Sequence, residues 1–243
     1  MAMRAARGAG TGAGGCEGKA KAVPVVERVA LFRVPPGAPE GAAEAMLDSL
    51  WSLQYQVRGV MCATAGEALE ADRPFTHALH MRFPNAQAME AFQADPQVAG
   101  CYASEVEPLC EDFMAVAFEG AVEDDIFPLF QRGDDWDFGY DHFVLLQGSE
   151  GLEEVAAERV AAFLASDAGP WVQRLTHGVY ENDEFDPDLV VYCLLMRCQT
   201  EAQLNVLKDH PAFKGIVEAN PVTNKIDLSF GVAPPLGQKN MGD

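Results

Sequence analysis

Five histidines are the side chains of this sequence best suited to proton transfer, because an imidazole titrates close to neutral pH. They are His77, His80, His142, His177 and His210. His77 and His80 lie three residues apart on a predicted strand, so they point to opposite faces and cannot share a metal ion. His177 begins a predicted strand and is expected in solvent. His210 precedes Pro211 and is expected to cap a helix end rather than to do chemistry.

Other kinds of chemistry have no support in the sequence. The six cysteines contain no Cys-x-x-Cys pair and no histidine at zinc spacing, so free thiols are expected and neither a metal nor another cofactor is predicted. We find no glycine-rich phosphate loop, nucleophile elbow or two-carboxylate site. The net charge of −20 would repel a phosphate backbone, which argues against nucleic-acid binding. No apolar run reaches the length of a membrane span.

One stretch of the sequence occurs twice and organises the chain. Residues 81–96 return as residues 196–211, with Met, Arg and the closing Pro each 115 positions later. An apolar strand at residues 28–33 returns 114 positions later. We therefore predict two copies of one unit in the 243 residues. Their predicted bounds are 25–119 for the first repeat and 141–233 for the second, with a linker at 120–140 and tails at 1–24 and 234–243.

Each repeat is predicted to have the element order β-α-β-β-α-β. The pattern predicts strands over residues 25–34, 58–65, 75–83, 113–118, 142–147, 189–196 and 225–232, and one more that begins at His177. In aligning the repeats, we match His177-Gly178-Val179 with Arg58-Gly59-Val60, and Asp227-Leu228 with Asp112-Phe113. The first helix of the first repeat is predicted to open at Pro39. Predicted helix caps are Asn85, Ser149 and the capping box of Thr200 with Gln203.

The strands are apolar at consecutive positions, so both faces of each sheet should be covered. One β-α-β-β-α-β unit forms a four-stranded antiparallel sheet with its helices on one face, and the other copy can cover the second face. The predicted fold class is therefore α+β. Two ferredoxin-like β-α-β-β-α-β repeats are expected to pack their antiparallel sheets into one intramolecular α+β barrel with the helices outside.

Two segments outside the repeats have unusual compositions. Eight acids and a single base, Arg132, lie between Glu119 and Asp141, but their spacing is not that of an EF-hand. A solvated linker is favoured over a calcium site. The N-terminal residues 1–22 are basic and rich in Ala and Gly, which favours a disordered tail, with an organellar transit peptide as the alternative. We expect a cytoplasmic protein, or a protein of the chloroplast or another organelle if this tail is a transit peptide.

The order of several short motifs gives a resemblance to a known family. Residues 27–33, the strand at 75–83 and Asp95-Pro96 look like the stress-responsive A/B barrel domain, and residues 141–146 with His210-Pro211 resemble it as well. The two copies cover about residues 25–233, so the chain is similar to the tandem plant-type members of that family. The resemblance implies a dimeric α+β barrel made from one chain, in proteins linked to stress or defence and usually without a known reaction.

The resemblance also implies where a site would lie. The family's best-understood enzyme, olivetolic acid cyclase, closes a polyketide with a tyrosine and a histidine around a His-Pro-x-His segment. Its tyrosine position falls on Phe92 and Leu207 here, and its second histidine on Val98 and Phe213. Neither copy keeps this acid/base pair. The first histidine of the segment is Asp95 in one copy and His210 in the other.

By the same match, Arg28 and His77 would face a pocket between sheet and helices in the first repeat, and His142 and Tyr192 the corresponding pocket in the second. The catalytic candidates are His142 as base, Tyr192 as donor and His77. The candidate pocket residues are Arg28, His77, Phe92, His142, Tyr192 and Leu207. A buried histidine bonded to the backbone is the structural alternative for His142.

The expected function is that of a stress-associated α/β-barrel protein without catalytic activity. The alternative is a binder of a polyketide-like carbonyl compound, or a cyclase acting on one, for which the partner would be a small apolar ligand. An oxygenase of similar shape is a third and weaker hypothesis. No nucleic-acid or membrane partner is expected, and the barrel should form within one chain that could associate weakly with itself.

Overall fold

A computed structural model of the chain describes residues 22–71, 73–123, 139–180 and 188–232. The predicted C-terminal tail, nearly all of the predicted N-terminal tail and most of the predicted acidic linker lie outside these residues.

The described elements follow the predicted order in both repeats. The first repeat contains β1 (Ala22–Arg33), α1 (Ala42–Gln56), β2 (Cys62–Glu67), β3 (His77–Phe83), α2 (Ala86–Gln93), α3 (Pro96–Cys101), a π-helical turn (Tyr102–Val106) and β4 (Asp112–Glu123). The second contains β5 (Gly139–Gly148), α4 (Leu152–Leu164), a short 3₁₀ turn (Gly169–Trp171), β6 (Arg174–Val179), β7 (Val190–Cys198), α5 (Glu201–Asp209), α6 (Pro211–Val217) and β8 (Val222–Val232).

Local sequence explains some helix starts and not others. Asn85 caps α2 by accepting a hydrogen bond from the Ala88 amide, and Thr200 with Gln203 forms the predicted capping box of α5. The predictions for the first helix of each repeat were wrong. Helix α1 begins after Gly41 and α4 after Gly151, and both glycines have a left-handed φ, 76° and 88°, that other residues rarely adopt.

The two sheets have the same antiparallel topology, with strand orders β2-β3-β1-β4 and β6-β7-β5-β8. Cys62 lies opposite Arg82 in the first sheet, and Arg174 lies opposite Arg197 in the second. Because Arg82 and Arg197 are equivalent, Arg174 is the equivalent of Cys62, and equivalent residues of β2 and β6 are 112 positions apart. The match of His177 with Arg58 was therefore wrong, and His177 is equivalent to Ala65. The match of Asp227 with Asp112 was also wrong, because the pairing of β5 with β8 makes Asn224 the equivalent of Asp112.

The two sheets pack face to face, as the apolar strands predict. Side chains from both inner faces, including Val29, Leu31, Phe143, Leu145 and Phe230, form one buried cluster between them. The outer faces are covered by the helices of their own repeats in two further clusters. The fold is α+β, with two ferredoxin-like repeats forming one barrel within the chain.

Two seams close the barrel, where the edge strands of one repeat meet those of the other. Strand β4 contacts β6, and β2 contacts β8. At each seam a glycine lies against a backbone carbonyl of the other repeat. A Cβ atom on Gly178 would lie 2.1 Å from the Glu119 oxygen, and one on Gly66 would lie 1.8 Å from the Gly231 oxygen. Equivalent positions of the two repeats therefore form equivalent seams.

Candidate functional site

Two equivalent ion pairs lie inside the barrel, between the sheets. Arg82 donates from Nε to Glu27 at 3.0 and 3.1 Å, and Arg197 donates from Nε and Nη2 to Asp141 at 2.6 Å each. All four residues are buried. Burial alone would raise the pKa of Glu27, but the charges of His80 and Arg82 hold that pKa well below its usual range. The recurring arginines thus form equivalent ion pairs inside the barrel.

A hydrogen-bonded path joins these two ion pairs. His80 contacts Glu27 at 2.7 Å through Nε2 and Thr64 at 3.3 Å through Nδ1, and the Thr64 hydroxyl donates to Asp141 at 2.9 Å. The equivalent of Thr64 is Thr176, whose buried hydroxyl has no hydrogen-bond partner among the described residues. The cavity beside these side chains is only about 10 Å³, the size of one water. This interior cluster holds the repeats together and has no room for a substrate.

The β2/β8 seam is covered by the loop that follows β2. Ala68 pairs with Phe230, and the Leu69 amide donates to the Ser229 carbonyl at 2.8 Å. Glu70 binds Lys208 of α5 and accepts a hydrogen bond from Ser229 at 3.1 Å. The outer face of this seam is therefore filled by side chains of both repeats.

The β4/β6 seam carries a groove of about 680 Å³ that reaches over both repeats. We call it the seam groove. Its lining comprises Val26, Ala86, Met89, Glu90, Ala117, Phe118, Glu119, Glu153, Ala157, His177, Gly178, Val179 and Tyr192. The positions equivalent to Val26 and Ala117 at the other seam are Tyr140 and Ser229. Smaller side chains occupy these positions in the seam groove, and its volume is in the size range of small-molecule sites.

One hydrogen-bonded pair of titratable groups lies on the wall of the seam groove. The Tyr192 hydroxyl is 2.6 Å from His177 Nδ1. Val179 is the residue opposite Tyr192 in the β6/β7 ladder, so His177 is the diagonal neighbour of Tyr192 on the same outer face. Long side chains at such positions reach each other, and the two rings are tilted at 31° with centroids 5.8 Å apart.

Burial keeps both members of this pair neutral. It lowers the pKa of His177 below 6.5, while it raises the pKa of Tyr192, with a further contribution from Glu153. A neutral imidazole has one donor and one acceptor nitrogen, and a phenol can donate and accept. The pair can therefore exist in two forms. Either the Tyr192 hydroxyl donates to Nδ1, or Nδ1–H donates to the Tyr192 oxygen, which frees the phenolic proton for a ligand.

Four of the six candidate pocket residues lie on the outer faces of the two sheets, but the expected pairs, Arg28 with His77 and His142 with Tyr192, do not meet. Arg28 lies opposite Met81, and His142 lies opposite Met196. His77 is four residues from Met81, and Tyr192 is four residues from Met196. Arg28 and His142 are therefore each roughly 13 Å along the sheet from the partner that the resemblance implied. His142 instead contacts the Ser229 hydroxyl at 3.0 Å, and burial lowers its pKa to about 3. Of the predicted pair in the second repeat, Tyr192 lines the seam groove and His142 does not.

The remaining candidates have structural surroundings. Phe92 and Leu207 are buried in the core clusters of their repeats. His77 lies on the outer face, with burial lowering its pKa, and His80 lies on the inner face, as the spacing predicted. His210 caps α6 by accepting from the Ala212 amide at 3.2 Å through Nδ1, and it contacts Asp167 at 3.0 Å.

Sequence reasoning missed the role of His177, which was expected in solvent. The structure places it in the strand, partly buried against Tyr192. Gly178 was the feature of the sequence that could have located His177 correctly. Had it been matched with Gly66 instead of Gly59, His177 would have been placed inside β6 on the outer face, beside Tyr192.

The comparisons with known proteins identify the first repeat. Residues 26–119 match the family described as "Stress responsive A/B Barrel Domain". The first repeat is therefore similar to a stress-responsive A/B barrel domain. The match spans most of β1 to most of β4, and the second repeat, which lies outside the match, has the same topology.

A curated relative supports the same assignment. The chain is similar to a stress-response A/B barrel domain-containing protein of Arabidopsis thaliana, with 26% identity over 93 residues. This alignment covers 38% of the chain and only 35% of that relative.

Solved structures of similar shape span nearly the whole chain. An anthrone oxidase-like protein has a TM-score of 0.61 at 11% identity, over 90% of this chain and 93% of its own. A protein from Fusobacterium nucleatum described as a "Putative monooxygenase" has a TM-score of 0.59 at 10% identity, over 87% and 93%. These similarities show that the two-repeat barrel occurs elsewhere as one fold.

Neither a metal centre nor a spanning helix is found in the part of the chain that the structure describes. Within the described ranges, no three His, Cys, Asp or Glu side chains are grouped so that they could hold a metal ion. The helices of these ranges are also too short or too polar to cross a membrane.

Proposed function

We propose that this stress-associated A/B barrel protein binds a small, mainly apolar carbonyl compound in the seam groove, without catalytic turnover. The observation that carries the proposal is the 2.6 Å contact of Tyr192 with His177 on the wall of a groove of about 680 Å³. Seven of the lining side chains are apolar, and the polar ones are Glu90, Glu119, Glu153, His177 and Tyr192. Small-molecule sites likewise combine apolar walls with a few polar groups that fix the orientation of the ligand. The absence of the cyclase's acid/base pair from its usual positions favours binding over ring closure.

The groove chemistry fits a carbonyl oxygen. When His177 Nδ1–H donates to the Tyr192 oxygen, the phenolic proton can point to a ligand acceptor. Val26, Ala117, Phe118 and Val179 offer an apolar surface to the rest of the ligand. Burial of that surface supplies the affinity, and the hydroxyl fixes the orientation.

Ligand-induced stabilisation tests this proposal. Aryl ketones and polyketide-like acids would be screened by thermal shift with the wild-type chain, Tyr192→Phe and Tyr140→Phe. A ligand that stabilises the wild type should stabilise Tyr140→Phe equally and Tyr192→Phe much less, because Tyr140 is outside the groove lining. The proposal fails if none of the compounds stabilises the wild type, or if Tyr192→Phe responds as strongly as the wild type.

A second candidate function is proton transfer at the carbon beside the carbonyl. With Nδ1 protonated, the other nitrogen of His177 is an unprotonated base while Tyr192 donates to the carbonyl oxygen. Such a pair would exchange an α-proton of the ligand for deuterium in heavy water. Exchange that needs both residues would establish catalysis, whereas binding without exchange would support a binding protein. The names of the two structural neighbours, an "anthrone oxidase-like protein" and a "Putative monooxygenase", are compatible with a catalytic barrel.

A further inference from the structure

One nitrogen of the His177 ring has no partner among the described residues. Nδ1 contacts the Tyr192 hydroxyl at 2.6 Å, whereas Nε2 forms no hydrogen bond or ion pair within those residues. When Nδ1 carries the ring proton and Tyr192 donates to a ligand ketone, Nε2 is an acceptor with a free lone pair. A ligand that also supplies a donor to Nε2 would therefore gain a second hydrogen bond in the seam groove.

The order of the strands sets the direction in which Nε2 points. Strand β7, which carries Tyr192, lies on one side of β6, and β4 lies on the other side across the seam. Nδ1 and Nε2 belong to opposite edges of the imidazole ring. Because Nδ1 is turned toward β7, Nε2 is turned toward β4, over the floor of the seam groove.

Glu119 is the residue of β4 that faces His177 across the seam. A Cβ atom on Gly120 would lie 3.3 Å from the Thr176 Cβ, and one on Gly178 would lie 2.1 Å from the Glu119 oxygen. The two strands therefore run in opposite directions, so the residue before Gly120 lies across from the residue after Thr176. Glu119 and His177 both line the groove, so their side chains share its floor.

The charges of the groove favour a cationic donor at this point. The Glu119 carboxylate is exposed and has no hydrogen bond or ion pair in the described part of the chain. Glu90 of α2 and Glu153 of α4 add two further acids, and no Lys or Arg is among the lining residues. The Nε2 lone pair and the Glu119 carboxylate both accept, so an ammonium group between them satisfies both. Burial lowers the pKa of His177, so the neutral ring does not repel this cation.

We propose that the seam groove binds a protonated amino ketone, whose ketone accepts from Tyr192 and whose ammonium group donates to His177 Nε2 beside Glu119. This inference rests on the proposed function and adds the class of ligand. Because Nδ1 and Nε2 are at opposite edges of the ring, several carbon atoms separate the ketone from the amine. The cation must bind more tightly than a neutral analogue of the same shape, and Glu119 and Nε2 must each cause part of the difference.

Matched ligands test the role of Glu119 by calorimetry. The probes are aryl ketones with three to five carbons between the ketone and a terminal dimethylamino group, each compared with the neutral compound that ends in isopropyl. For at least one chain length the wild type should bind the cation about 5-fold more tightly, the upper end for an exposed ion pair. Glu119→Gln should remove most of this ratio. Glu154→Gln, which removes an exposed acid of α4 outside the groove lining, should retain it.

A third probe tests the contact with Nε2. A trimethylammonium compound of the same chain length keeps the positive charge but has no N–H group. The wild type should bind it about 3-fold more weakly than the dimethylammonium compound, the order of one hydrogen bond. His177→Asn should bind the two cations equally, because an asparagine amide can replace Nδ1 beside Tyr192 but supplies nothing at the position of Nε2.

The outcomes separate the inference from the proposed function. Equal binding of the dimethylammonium and isopropyl compounds by the wild type, or an unchanged ratio in Glu119→Gln, would overturn the role of Glu119 and leave groove binding intact. A preference for the dimethylammonium over the trimethylammonium compound that persists in His177→Asn would overturn the contact with Nε2. Tyr192→Phe should weaken the binding of all three compounds. If the wild type binds none of them at any chain length, both proposals fail.

Discussion

The hydroxyl of Thr64 in the first repeat donates a hydrogen bond to the Asp141 carboxylate in the second, at 2.9 Å. Asp141 also binds Arg197, and Thr64 contacts His80, which in turn binds Glu27. Thr64, through His80, thus joins the two buried ion pairs across the barrel. Its equivalent, Thr176, is buried at the same depth but has no hydrogen-bond partner among the described residues.

This asymmetry predicts opposite effects for two identical substitutions. Thr64→Val should lower the free energy of unfolding by about 1.5–3 kcal/mol, because a buried carboxylate loses a donor. Thr176→Val should be neutral or stabilising, since it removes a buried hydroxyl that is unsatisfied. Urea unfolding of both variants measures the difference. Equal losses of stability would show that the Thr64 bond does not join the repeats.

The glycines at the two seams predict a second contrast. A methyl group on Gly178 or Gly66 would overlap a backbone oxygen of the other repeat, at 2.1 and 1.8 Å. Each Gly→Ala substitution should therefore separate the edge strands and lower the free energy of unfolding by about 3 kcal/mol or more. Gly100→Ala is the control. A Cβ there meets nothing within 4 Å in α3, so the substitution should stabilise by about 0.5–1 kcal/mol. Tolerance of Gly178→Ala would contradict the close approach of β4 and β6.

The parts of the fold that depend on local pattern were predictable, and the seams were not. Consecutive apolar residues in β1 and β5 indicate sheets that are covered on both faces, and Asn85 and Thr200 are helix caps by their own chemistry. The alignment of β6 with β2 rested on one glycine after a basic residue. Gly66 and Gly178 are required by contact with another repeat, and a contact of that kind leaves no periodic signal in the sequence.

Burial of His142 predicts a dependence of stability on pH. Its pKa is about 3 in the folded chain and 6.5 as a model value, mainly because of burial and partly because of Lys208. The unfolded state therefore binds more protons between these values, so stability falls as the pH drops below 6.5 and is unaffected above it. At pH 5 the loss due to His142 should be on the order of 2 kcal/mol.

Unfolding of the wild type and His142→Gln at pH 5, 7 and 8 measures this contribution. Glutamine keeps a polar contact with Ser229 but does not titrate. The variant should lose less stability than the wild type between pH 7 and pH 5, and neither should change between pH 7 and pH 8 through this group. Parallel losses in the two proteins would mean that His142 is not buried as a neutral ring.

The candidate site was predictable in its residue types but not in its pairing. Tyr192 was predicted as a donor and His142 as the base, yet the histidine beside Tyr192 is His177. The two residues are 15 positions apart and meet only because the β6/β7 register makes them diagonal neighbours. Residue spacing alone does not give the register of a hairpin, and the match to a related enzyme selected His142, which belongs to another part of the same sheet.

The Tyr192 and His177 pair should change its hydrogen-bond direction when a carbonyl compound binds. In the free protein at pH 7 both groups are neutral, because burial lowers the pKa of His177 and raises that of Tyr192, and we expect the hydroxyl to donate to an unprotonated Nδ1. A bound carbonyl oxygen would accept a hydrogen bond from the phenolic hydroxyl, and the ring should then carry its proton on Nδ1.

Nitrogen NMR of the histidine rings measures both states directly. Tyr140→Phe should show the same exchange of tautomers on ligand addition, and Tyr192→Phe should not. A His177 ring whose Nδ1 stays unprotonated with a ligand bound in the groove would exclude the hydroxyl as the ligand's donor.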